Sequence, residues 1–182
     1  MATNREYTGD FQHNVKVSLK AENIARELIE QLTLDNLVSV RNEPEFYHIG
    51  DLLNQSGEGY DVKDDGVIHG TGNVFCEVRK RWKKSGQITD GWMMNGEYTY
   101  LVVLDQIDKN IYILDFARLK KIYRSEGFWR YHVDMTDNYT DGICVSLYKC
   151  KKFGALLHEA HYKYNDAWDC YEIDKWDSYN IA

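Results

Sequence analysis

Two apolar runs constrain this chain most: Tyr98-Thr-Tyr-Leu-Val-Val-Leu104 and Ile111-Tyr-Ile-Leu-Asp115, joined by Asp105-Gln-Ile-Asp-Lys-Asn110. A strand with apolar residues at successive positions has no face to give to water. Such strands belong inside a sheet covered on both sides. The polar hexapeptide between them has turn composition and predicts a strand–turn–strand unit. Ala117 to Tyr123, with Leu119 and Ile122 at helical spacing, predicts a short helix after it.

Upstream, Ser18 reads as an N-cap for a helix over Leu19 to Leu32. Ile24, Leu28 and Leu32 recur along one face beside Ala21 and Ala25, and Glu22, Glu27 and Glu30 are assigned to the opposite face. Glu22 suits the positive end of the helix dipole. Leu37-Val-Ser-Val-Arg41 alternates like a strand, and Asn42-Glu-Pro-Glu45, with the sole proline, reads as a turn. Residues 1–17 have no period and read as a loose arm. The expected class is α/β, with α+β character: a central mixed β-sheet flanked by helices.

The next stretch carries the chemistry. Asp51-Leu-Leu and Gly59-Tyr-Asp-Val-Lys63 read as two strands around the turn-forming Asn54-Gln-Ser-Gly-Glu-Gly59. Side chains alternate along a strand, so Asp61 and Lys63 share a face. A hairpin then brings Asp51 beside them. Two carboxylates and an ammonium in a small volume suit a hard divalent cation such as magnesium. They also suit a lysine that orients water or stabilises developing negative charge.

Asn73-Val-Phe-Cys-Glu-Val-Arg79 is a further strand, and its Glu77 needs a partner or a metal. Glu77 can pair with Asp61 in an alternative parsing, in which Arg79 stands where a lysine is expected. Asp61-Val-Lys63 supplies the lysine, so the first parsing is preferred and Glu77 becomes accessory. Gly70-Thr-Gly72 lacks the lysine and the following helix of a phosphate loop and reads as a connector. His69 within it reads as a solvated residue or a general base. His158-Glu-Ala-His161 has a spacing of three, not the four of a zinc-binding helix.

Composition narrows the function. The 182 residues carry a net charge of −7, which argues against a general nucleic-acid binder. Yet Arg79-Lys-Arg-Trp-Lys-Lys84 concentrates five basic residues in six. Arg79, Arg81, Lys83 and Lys84 are candidates for phosphate contacts, and Trp82 and Trp92 for stacking on bases. Residues 166–182 form an acidic, aromatic segment that reads as a tail. The four cysteines show no C-x-x-C pair and read as reduced thiols without structural zinc. No apolar run approaches membrane length and the first twenty residues lack a signal core, so a cytoplasmic protein away from membranes is expected.

The spacing Asp51…Asp61-Val62-Lys63 resembles the signature of the PD-(D/E)xK nuclease superfamily, with Ile49-Gly50 rather than proline before the first acid. His48-Ile-Gly-Asp51 is similar to the segment before the first metal ligand of many members. Asp61-Val-Lys-Asp-Asp65, Thr71-Gly-Asn-Val-Phe-Cys-Glu-Val78 and Gly91-Trp-Met93 resemble the core of phage-type members. The resemblance covers roughly residues 18–125. It implies a restriction-endonuclease-like core, within a single nuclease domain over 18–165.

It also implies magnesium-dependent endonuclease activity on DNA, with manganese able to substitute. Asp51, Asp61 and the Val62 carbonyl would hold the metal, Lys63 would act on the water or the transition state, and Glu22 and Glu77 would be accessory. Rival readings are an inactive descendant of the fold that binds nucleic acid or a protein, such as a phage-encoded inhibitor, and an RNA or nucleotide phosphodiesterase. A homodimer and a host-cytoplasm location, if the chain is phage-encoded, are further expectations.

Overall fold

The computed structural model describes residues 11–125, 131–135 and 137–179. The long helix α1 (Phe11–Thr33) is followed by β1 (Val38–Ser39), a single 3-10 turn at Pro44–Phe46, β2 (Leu52–Leu53) and β3 (Gly59–Asp64). Next come β4 (Asn73–Trp82), β5 (Ile88–Asp90), α2 (Trp92–Asn95), β6 (Tyr100–Asp105), β7 (Asn110–Asp115) and α3 (Phe116–Ser125). The chain continues through β8 (Tyr131–Asp134), β9 (Asn138–Ser146), α4 (Leu147–Lys152), β10 (Leu156–Asn165) and β11 (Cys170–Ser178).

Seven strands form one mixed sheet in the order β1-β2-β3-β6-β7-β10-β11, and four form a second sheet in the order β5-β4-β9-β8. The β3–β6 pair is parallel, while its neighbours β2–β3 and β6–β7 are antiparallel. The large sheet is the middle layer, and the two apolar runs lie at its centre, where Leu101 to Leu104 and Ile113 to Leu114 are buried. Alternation divides them between two cores. Val102, Leu104, Ile111 and Ile113 pack with Ala21, Ile24, Leu28 and Ile29 of α1. Leu101, Val103 and Leu114 pack with Val74, Cys76, Ile143 and Val145 of the second sheet and with Leu119 of α3. Fully burying each such side chain contributes about 1.5–3 kcal/mol.

The central mixed sheet, the flanking helices and the α/β class agree with expectation, and the four-stranded second sheet is an addition to them. One face carries α1. The other carries the second sheet, with α2, α3 and α4 around it. Several elements also depart from their expected bounds. Helix α1 starts at Phe11, so residues 11–17 are helical rather than an arm, and residues 1–10 lie outside the described residues. Ser18 is therefore inside the helix, and its Oγ donates to Glu22 Oε1 at 3.1 Å instead of capping. Thr136 to Gly142 has turn composition in the sequence, yet 138–142 belong to strand β9; Thr136 lies outside the described residues. Ser146 caps α4, its Oγ accepting from Lys149 N at 3.2 Å, so the helix opens at Leu147, and Leu156 opens β10.

The acidic segment after 166 is not a tail through Ser178. It supplies β11, the outer strand of the large sheet. Helix α1 reaches this strand with polar side chains. Tyr171 N donates to Glu27 Oε2 at 2.9 Å, and Gln31 Nε2 donates to Tyr171 O at 2.8 Å. Among the described residues, no helix is long and apolar enough to cross a membrane.

Candidate active site

The β2–β3 hairpin is held tightly. Asn54 Oδ1 accepts from Ser56 N and Glu58 N at 3.0 and 2.9 Å, which closes the turn. Gly59 packs so closely on Ile49 that a Cβ would lie 1.8 Å from its carbonyl oxygen. Gly50 adopts φ of +135°, and a Cβ there would meet Tyr60 O at 2.7 Å. These contacts fix the register Leu52↔Tyr60 and Leu53↔Gly59, which sets Asp51 opposite Asp61 one step further on. Asp51 N donates to Tyr60 O at 2.9 Å on that side.

Strand β2 begins only at Leu52, so the Val62 amide has no ladder partner there. Asp51 Oδ2 accepts from it at 2.8 Å. Backbone groups of alternate residues point to the same edge, so the Val62 carbonyl faces the same gap as Tyr60 O. Asp61 and Lys63 pair in parallel register with Leu101 and Val103, so their side chains point to the face covered by the second sheet. Lys63 Nζ lies 2.7 Å from Asp61 Oδ2 and 5.9 Å from the centre of the Trp92 ring.

The electrostatics are those of crowded charges in a partly dry place. Burial pushes the Asp51 carboxyl up, and the Asp61 charge pushes it further. Lys63, the Val62 amide and Arg41 pull it back without restoring the ordinary value. Burial works against the Lys63 ammonium, but Asp61, Asp51 and Glu77 outweigh it and hold the lysine charged. Burial, followed by the Asp61 charge, raises the Tyr98 phenol far above its usual range. Tyr98 is buried, and its hydroxyl makes no well-formed hydrogen bond among the described residues.

The accessory acids are engaged elsewhere. Glu22 is buried in α1, not on the outer face expected for it, and lies three turns into the helix rather than in its first turn. Its Oε1 is bound by Arg41 Nη1, which also donates to Ser18 Oγ at 3.0 Å. Burial, then the Asp51 charge, raises Glu22, while Arg41 and Ser18 oppose the shift. Glu77 Oε1 meets Lys80 Nζ at 3.1 Å, although its charge is also felt at Lys63.

The basic run lies on β4 and the turn after it. Much of it is already neutralised. Arg79 Nε donates to Asp141 Oδ2 at 3.0 Å, and Lys83 Nζ lies 2.5 Å from Asp134 Oδ1. Arg81 and Lys84 have no ion pair among the described residues. Trp82 is partly exposed and donates to Thr89 Oγ1 at 3.3 Å. Trp92 is packed against the inter-sheet core beside Lys63, away from any exposed strip.

Arg41 and Tyr98 carry no local sequence signal, because the partners that define them come from other elements. His158 and His161 sit on β10 and face different partners. His158 Nδ1 is 2.8 Å from Ser178 Oγ, and His161 Nδ1 is 3.6 Å from Asp174 Oδ2. A separate group, His69, Asp105 and Asp108, brings three potential ligand atoms within 4.8 Å of one another. All four cysteines are free thiols. Comparison with protein-family models, curated proteins and solved structures gives no match.

Proposed function

We propose that this protein is a metal-dependent phosphodiesterase that cleaves DNA, built on a PD-(D/E)xK-like site. The observation that carries the reading is the Asp51–Asp61–Lys63 constellation. One carboxylate is held on the Val62 amide opposite a second, and the second is paired with a charged lysine at 2.7 Å. The residues fit a hard cation: burial and the Asp61 charge both push Asp51 up, and a divalent ion would relieve that repulsion. Asp51, Asp61 and the Val62 carbonyl would hold it. Magnesium, or manganese in its place, activates a water and offsets charge on the scissile phosphate when bound.

Lys63 orients the attacking water or stabilises the charge that develops on phosphorus oxygens. Trp92 backs Lys63 and limits its swing. The Tyr98 hydroxyl lies near enough to Asp61 to feel its charge. Glu77 keeps Lys80 in place and adds a negative charge that keeps Lys63 protonated.

The test is incubation with plasmid, branched and single-stranded DNA in magnesium, manganese or chelator. Cleavage in either metal and none in chelator is expected. Intact substrates under every condition would defeat the reading.

A second reading, a binding module without catalysis, draws on the neutralised basic run. It is separated from the first by salt dependence. Substituting Arg81 and Lys84 by alanine should lower the slope of log affinity against log salt by roughly 1.8, two phosphate contacts at about 0.9 each. Adding Lys83→Ala should change it by less than a further full contact, because Asp134 already holds that ammonium. Fluorescence anisotropy on duplex DNA in chelator reads this out. An unchanged slope would make the strip a solvated face.

A further inference from the structure

We propose that Arg41 takes the place of a second cation, so that the site holds one divalent ion rather than two. The inference rests on the metal-dependent reading above. Val40 N donates to Asp51 O at 3.0 Å, which brings Arg41 near enough for its charge to be felt at the first carboxylate. Its guanidinium binds Glu22 and Ser18, and Ser18 in turn donates to Glu22. Glu22 is therefore a buried carboxylate already matched by a permanent positive charge. Glu77 is taken by Lys80.

Among the described residues, the group with three ligand atoms within 4.8 Å is His69, Asp105 and Asp108. Glu22, Asp51, Asp61 and Glu77 form no such cluster. Asp51 and Asp61 remain, with the Val62 carbonyl. Magnesium is commonly held by one or two carboxylates and completes its shell with water, so this set suits one ion.

Charge points the same way. Glu22, Asp51 and Asp61 carry three negative charges, and Lys63 and Arg41 two positive. One divalent ion turns the net from one negative to one positive, the complement of a single phosphodiester. A second ion would leave a large surplus. Arg41 keeps N–H donors beyond those spent on Glu22 and Ser18 and is partly exposed, so it can hold the phosphate oxygen that a second ion would otherwise take.

The test counts manganese ions bound per chain by electron paramagnetic resonance and calorimetry, without DNA. It uses the protein carrying His69→Ala and Asp108→Asn, so that the His69, Asp105 and Asp108 group keeps only Asp105, whose Oδ1 already accepts from the Ile107 and Asp108 amides. One ion is expected. Arg41→Met should admit a second ion at the freed Glu22, and Arg41→Lys should restore the count to one. Because Arg41→Met strands a buried carboxylate and can unfold the chain, Arg41→Met with Glu22→Gln is measured beside it.

That double variant should bind one ion with nearly unchanged affinity. A loss of about tenfold or more, as expected on removing a coordinating group, would make Glu22 a ligand and overturn the inference. So would two ions in the Arg41-containing protein, or one in a folded Arg41→Met protein. A count of zero would defeat this inference together with the metal-dependent reading, whereas a count of two would defeat this inference alone.

Discussion

Asp61→Asn should cut the proposed cleavage by several orders of magnitude and leave the fold in place. The amide keeps the side-chain shape but cannot replace a charged ligand. Its effect on the metal-free protein is small because two changes oppose each other. The Asp61 charge is one of the causes that push Asp51 up, so removing it relieves a repulsion. The same charge holds Lys63, whose ammonium then loses its nearest partner at 2.7 Å. The net should be within about 1 kcal/mol, the worth of under one pKa unit. That moves the melting temperature by about 2–4 °C for a domain of this size.

Magnesium should raise the melting temperature of the wild type and barely move that of the variant, since only a ligand of the folded state stabilises it. Thermal unfolding with chelator and with magnesium, beside a cleavage assay, reads both effects. Equal shifts in the two proteins, with no cleavage by either, would put the binding module ahead.

Lys63→Met should lower the cleavage rate by about 10²–10³-fold, the typical cost of removing one preorganised electrostatic donor. It should also change how the metal-free protein responds to pH. Asp51 has a folded-state pKa above its unfolded value. A raised carboxyl contributes stability that is complete below the unfolded pKa and is lost as pH rises through the folded one. Lys63 pulls Asp51 down, so its removal pushes Asp51 higher and widens the window of loss.

The variant should therefore lose more stability than the wild type between about pH 4, near the ordinary aspartate pKa, and neutrality. Melting curves across that range in chelator test the sign. Parallel curves would show that Lys63 does not screen the pair.

The parts legible in the sequence are those whose signal is local. The hairpin at 51–63 announces itself by Asn54, Gly57 and Gly59 between alternating runs. Strands β6 and β7 announce themselves by unbroken apolar residues, because both faces are covered. What was not legible depends on partners far along the chain. Arg79 reads as a phosphate contact until Asp141, 62 residues away, is seen beside it. Arg41 reads as the end of a short strand until α1 brings Glu22 to it.

Ser18 has the right identity for a cap, but its hydroxyl serves Glu22 and Arg41 inside a longer helix. Strand β11 was hidden for a different reason. It is an outer strand with much of its length exposed, so Glu172, Asp174 and Asp177 cost little there and no apolar alternation is required.

The grip of α1 on β11 sets the order in which the molecule can be completed. Gln31 and Tyr171 bond across 140 positions. A contact that closes so long a loop is slow to form and is rewarded only late. As the polypeptide emerges during synthesis, α1 can settle on β6 and β7, but its contact with the last described strand must wait. The β6–β7 unit, closed by a turn of a few residues, has no such wait. Asp61 and Lys63 face the other core, so their burial waits instead for the second sheet to close over them.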